Sequence, residues 1–95
     1  MKVSVKFTGN LRVITQADQI EVELDEGARL QDLLRALGER YGERFSYSIF
    51  KSEMGPIDTW TSIIVDGVLF SLDPVPDVAL KQDSVVVLLA ALSGG

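Results

Sequence analysis

The sequence predicts an α+β fold: a mixed sheet of four or five strands with one main helix packed on one face. Two strict apolar–polar alternations open the chain, which is the period of half-buried strands. A single stretch then switches to the 3.6-residue period of an amphipathic helix. The chain finally returns to short β-branched runs, the last of them apolar at every position.

Val3, Val5 and Phe7 alternate with Lys2, Ser4 and Lys6, and predict a first strand. Thr8-Gly9-Asn10 has turn chemistry. Ile20, Val22 and Leu24 alternate with Glu21 and Glu23, and predict a second strand. The two read as a hairpin, with Leu11 to Gln19 as a loose loop. Leu30, Leu33, Leu34, Leu37 and Tyr41 then recur at helical spacing. Asp25 and Glu26 lie ahead of them, where negative charge favours a helix N-terminus. Gly38 costs this helix about 1 kcal/mol relative to Ala, and Gly42 suits its end.

From Glu43 to Trp60 the pattern supports either a short strand or a turn of helix followed by a loop. Met54-Gly55-Pro56 interrupts any regular element there. Phe45, Tyr47, Phe50 and Trp60 read as packing beneath a long loop, in preference to an aromatic ligand pocket. Ser62 to Val65 and Val68 to Phe70 flank Asp66-Gly67, the strongest short-range hairpin signal. Asp73-Pro74-Val75-Pro76 is a rigid connection, and Lys81 to Ser84 a polar turn. Val85 to Leu89 is apolar throughout, as a central strand covered on both faces would be. A helix crossing from the second strand places that last strand beside the first, at the sheet's centre, and leaves the other sheet face without a helix.

The 95 residues suit one domain, read as 1–95 with a flexible tail from about residue 90. No run approaches the roughly 18 apolar residues of a membrane span, and the opening alternation is no signal peptide. Cytoplasmic residence is the expectation. Cys and His are both absent, which removes thiolate and imidazole ligands, the cysteine nucleophile and the commonest general base. Neither a metal nor a cofactor is expected. No P-loop, dinucleotide fingerprint or catalytic triad can be assembled, so the chain is read as not catalytic alone. Net charge is −5, with scattered basic residues, so nucleic acid is not an expected partner.

The ending is unlike the rest. Ala90-Ala91-Leu92-Ser93-Gly94-Gly95 follows the apolar strand directly and is small apart from Leu92. Without Cβ atoms, Gly94 and Gly95 pass through a narrow channel that side chains would block. Such a channel would meet the Gly95 carboxylate, which becomes an electrophile once ATP converts it to an acyl-adenylate. A frayed terminus is the plainer reading of the tail taken alone.

KVSVKFTGNLR, IIVDGVLFSLD and DSVVVLLAALSGG together resemble the MoaD/ThiS family of ubiquitin-like sulfur carriers, and within it the small subunits of molybdopterin synthase. The resemblance covers nearly the whole chain, and its specific element is the diglycine. The chain has Asp66 where the family often has Asn, and Ala90-Ala91 where molybdopterin members usually carry prolines. It is also long between Glu43 and Trp60.

The resemblance implies a β-grasp fold and a sulfur cycle. An E1-like adenylyltransferase of the MoeB/ThiF type adenylates Gly95, using ATP as its own substrate. Sulfur replaces the adenylate to give a terminal thiocarboxylate, and an acceptor such as the large subunit of molybdopterin synthase consumes it. Gly94 lets the tail thread into both enzymes. The resemblance also turns Val85, Val87 and Leu89 away from the helix and Val86 and Leu88 toward it. Val87 and Leu89, with Leu92 and Ser93 of the tail, then form a partner-binding surface, unless the 43–60 segment folds over that face. Sulfur supply for thiazole, cysteine or tRNA thiolation shares the same tail. So does a ubiquitin-like modifier conjugated through Gly95. A binding module with an idle tail is the remaining alternative.

Overall fold

The computed structural model describes residues 1–45, 61–71 and 75–90. In chain order the elements are β1 (Lys2–Phe7), α1 (Asn10–Thr15), β2 (Gln19–Glu23), α2 (Leu30–Tyr41), β3 (Thr61–Val65), β4 (Val68–Ser71) and β5 (Val85–Ala90). The strands form one sheet in the order β2-β1-β5-β3-β4. β5 runs parallel to β1 and antiparallel to β3. The remaining neighbours are antiparallel hairpins. This is the β-grasp, ubiquitin-like fold, with five strands and the last one central.

The alternation in β1 is what the sheet requires: Val3, Val5 and Phe7 are buried while Lys2 and Lys6 stand in solvent. α2 lays Leu30, Leu33, Leu34 and Leu37 against the same face, all buried. Each such leucine contributes about 1.5–3 kcal/mol over an exposed one. Val86 and Leu88 of β5 and Ile63 and Val65 of β3 complete this core.

Three expectations need correction. The stretch after β1 is not a loose loop, because α1 occupies Asn10–Thr15. Leu11 anchors it in the core, and the Thr15 hydroxyl donates back to the Leu11 carbonyl at 2.8 Å. Gln16, at φ 57°, ends it in a left-handed conformation. Nor do Asp25 and Glu26 start α2. With Gly27 they form a turn, closed by the Ala28 N–H on the Asp25 carbonyl, and the helix begins at Leu30. There Asp32 accepts the Arg29 N–H at 2.8 Å, and the Val78 carbonyl accepts that of Leu30 at 2.9 Å. Gly42, at φ 86°, closes the helix as expected.

Phe45 is the third correction. It is fully buried in the main core, edge-on to Phe7 with ring centroids 6.2 Å apart and 5.7 Å from Tyr41. Tyr47, Phe50 and Trp60, and the Asp73-Pro74 connection, lie outside the described residues.

Candidate functional site

The two faces of β5 follow from its register. Val86 and Leu88 point to α2 and are fully buried. Val85, Val87 and Leu89 therefore occupy the opposite face, as the resemblance implied. Across that face Val87 pairs with Lys6 of β1 and with Ile64 of β3, and Ile64 pairs with Leu69 of β4. Gln19 completes the row beyond Lys6. One continuous rank of side chains results, polar over β2 and β1 and apolar over β5, β3 and β4.

Val87, Leu89 and Ile64 are partly buried, while Leu69 is 64% and Val85 37% exposed. The flanking pairs are small and polar: Ser62 stands opposite both Leu89 and Ser71, and Ser4 opposite Val85. The result is a shallow apolar strip with a hydroxyl margin and the Lys6 ammonium at one end. The 46–60 segment, the alternative cover for this face, lies outside the described residues.

Ile64 and Leu69 were not singled out in the sequence, although the signal was present. Counting outward from the two-residue Asp66-Gly67 turn gives Val65 opposite Val68 and then Ile64 opposite Leu69. Asp66 and Gly67 do carry the φ > 0 that this turn needs, at 48° and 89°.

Asp66 also fixes where β5 begins. One carboxylate oxygen accepts the Val85 N–H at 2.8 Å and the other accepts the Ser84 hydroxyl at 2.9 Å. Ser84 is fully buried, and its hydroxyl oxygen takes the Lys81 N–H at 3.0 Å. The Asp66 N–H donates to the Val85 carbonyl. A carboxylate with two acceptor oxygens meets two donors here, which accounts for Asp at this position. The opposite end of β5 lies beside α1. Leu11 of the Leu11-Arg12 pair is buried there, while exposed Arg12 pairs with Asp18 at 2.7 Å.

β5 runs through Ala90, so the segment expected to leave the domain begins no earlier than residue 91. Leu92, Ser93, Gly94 and Gly95 lie outside the described residues. Among the described residues no group of three or more acidic, His or Cys side chains gathers to hold a metal ion. Nor does any described helix have the length and apolarity to cross a membrane. No buried side-chain polar atom among them lacks a partner.

Comparison with known proteins places this geometry. The model described as "ThiS family" matches residues 5–95, through the last glycine. A solved structure of a candidate molybdopterin converting factor subunit 1 from Pyrococcus furiosus is similar, with 30% identity and a TM-score of 0.71. The match covers 96% of this chain and 98% of that one. SAMP1 from Haloferax volcanii matches over 100% of both chains, with 18% identity and a TM-score of 0.74. A chain in the BexX/CysO complex of Amycolatopsis orientalis matches with 16% identity and a TM-score of 0.63, over 98% of this chain and 99% of that one. The last two share the fold. No curated protein sequence matches the chain.

Proposed function

The chain belongs to the ThiS family, that of ubiquitin-like sulfur carriers, and from this premise we propose that it carries sulfur on Gly95 for molybdopterin assembly. The observation that supports the proposal is the family match, which runs to residue 95 and so takes in Gly94 and Gly95. The 30% identity to the Pyrococcus furiosus protein, candidate subunit 1 of a molybdopterin converting factor, supports the choice of pathway.

The chemistry needs one group of this chain, the Gly95 α-carboxylate. An oxygen of that carboxylate attacks the α-phosphorus of ATP on an E1-like adenylyltransferase and releases pyrophosphate. A sulfur nucleophile, a protein persulfide or sulfide, then attacks the adenylated carbonyl and AMP leaves. When the nucleophile is a persulfide, a thiol cleaves the S–S bond of the acyl disulfide and frees the thiocarboxylate. In the acceptor enzyme the sulfur is transferred, and water restores the carboxylate. Gly94 contributes by what it lacks, since no Cβ obstructs a narrow channel. Val87 and Leu89, joined by Ile64 and Leu69 on the sheet, are the docking surface in this reading, and Leu92 and Ser93 line the path of the tail. The rest of the chain is a scaffold, with catalysis supplied by the partners.

Intact mass spectrometry tests the proposal. Protein incubated with ATP, the activating enzyme and a sulfur donor should gain the mass of one oxygen-to-sulfur exchange, mapped to Gly95. A chain that stays unmodified overturns it. Transfer of that sulfur to the molybdopterin precursor, and not to a thiazole, cysteine or tRNA acceptor, decides the pathway. A modifier joined through Gly95 to lysines would instead yield conjugates stable to thiols on a denaturing gel.

A further inference from the structure

By register, the open sheet face carries the charges of Lys2 and Lys6 on β1 and of Glu21 and Glu23 on β2. Lys2 reaches Glu21 at 3.8 Å, and Glu23 lies 3.7 Å from the Met1 ammonium. Lys6 differs. It is exposed, and among the described residues no carboxylate stands within ion-pair distance of it. Its cross-strand neighbours are Gln19, which is neutral, and Val87, which is apolar.

Neighbouring strands lie about 4.8 Å apart, so whatever covers Val87 also covers the stem of Lys6. An ammonium taken out of water without a counter-charge is costly. A partner seated on Val87, Ile64 and Leu69 therefore meets a requirement at one end of the strip: a carboxylate within reach of Lys6. A second copy of this chain does not meet it. A two-fold axis along the rank sets Lys6 against Lys6, and one across it sets Lys6 against Leu69.

We propose that Lys6 is a specificity-determining residue of this face, read by a carboxylate on the adenylyltransferase that activates Gly95. That enzyme is the occupant because the sulfur-carrier and modifier routes both need it, whichever acceptor follows. The inference rests on the proposed function for the identity of the partner. The apolar strip supplies buried area, and the ion pair fixes which end of the strip meets which end of the enzyme's contact surface. In this role Lys6 acts on binding and leaves the chemical step alone.

Calorimetry of the full chain with that adenylyltransferase tests the inference. Lys6→Met keeps the stem, removes the charge and should weaken binding about tenfold. Lys6→Glu sets like charges together and should weaken it roughly a hundredfold. Lys6→Arg, which keeps the charge, should stay within about threefold of wild type. Lys2→Met makes the same change in net charge at a residue already paired with Glu21, and should stay within about twofold. All four variants should keep the wild-type urea midpoint, since both lysines are exposed. In ATP–pyrophosphate exchange, KM for the chain should rise with Kd while kcat stays within about twofold. Asp→Asn and Glu→Gln replacements across the enzyme's contact surface should include one whose effect is not additive with Lys6→Met. Wild-type affinity in Lys6→Met, an equal loss in Lys2→Met, or additivity at every carboxylate each overturns the inference; the sulfur-carrier reading stands in those cases if Gly95 is still converted. If the wild-type chain is not adenylated, the sulfur-carrier reading fails and the inference falls with it.

Discussion

The inward and outward faces of β5 are built from almost the same residues and meet different surroundings. Val86 and Leu88 vanish into the core beneath α2, whereas Val85, Val87 and Leu89 look the other way. A fold needs the first set. It does not need the second, since outward positions on a sheet tolerate polar residues, as Ser4 and Lys6 on neighbouring β1 demonstrate. In the proposed function, this outward apolar set is the docking surface.

The comparison can be broken most severely at the terminus. Gly94→Val should abolish sulfur transfer, measured as loss of the thiocarboxylate mass, while the circular dichroism spectrum and unfolding midpoint stay as in wild type. Wild-type transfer by this variant would sink the threading role. On the inward face, Leu88→Ala should cost about 2–5 kcal/mol in urea unfolding, because it empties a fully buried site. On the outward face, Leu69→Asp should shift unfolding by only about 0.5 kcal/mol, as for other exposed positions. The same substitution should weaken partner binding by calorimetry about tenfold or more, as loss of an apolar anchor does. Equal stability losses on the two faces would erase the distinction.

Between these extremes lies Asp66→Ala, which strips a partner from the buried Ser84 hydroxyl and from the Val85 N–H. It should destabilise by about 1–3 kcal/mol. The smallest effect is expected for Arg12→Ala. It removes an exposed ion pair with Asp18 and should change unfolding free energy by less than about 1 kcal/mol.

What the residues disclosed depended on how long each pattern persisted. α2 repeats its leucines through two turns and adds Tyr41 a turn later, and no competing element shares that period. The five-residue apolar run of β5 announced a central strand because such a run has no polar side to offer water. α1 stayed hidden for the opposite reason. Six residues are too few to show a helical period, and Val13, Ile14 and Thr15 favour strands intrinsically. Burial of Leu11 and a back-bonding threonine overrode that preference, and both are tertiary facts. Phe45 was readable as apolar but not as central, since its partners Phe7 and Tyr41 come from two other elements. For the candidate site, β5 showed both faces, while Ile64 and Leu69 needed the further step of counting the register out from the Asp66-Gly67 turn. The diglycine was legible as a motif, and the family match takes in both of its residues.

The position of β5 has a consequence for synthesis. It alone joins the β1–β2 hairpin to the β3–β4 hairpin, and it is the last of these strands to leave the ribosome. Until it emerges, two separate ribbons hang from one helix with no common sheet, and two-stranded ribbons are barely stable in water. The contacts that close the sheet then span some 80 residues, a long-range pairing of the sort that slows folding. A chain cut short before β5 thus lacks at once its structure and the segment that would be activated. In the proposed function, the end that an activating enzyme would seize thus arrives only with the strand that completes the sheet.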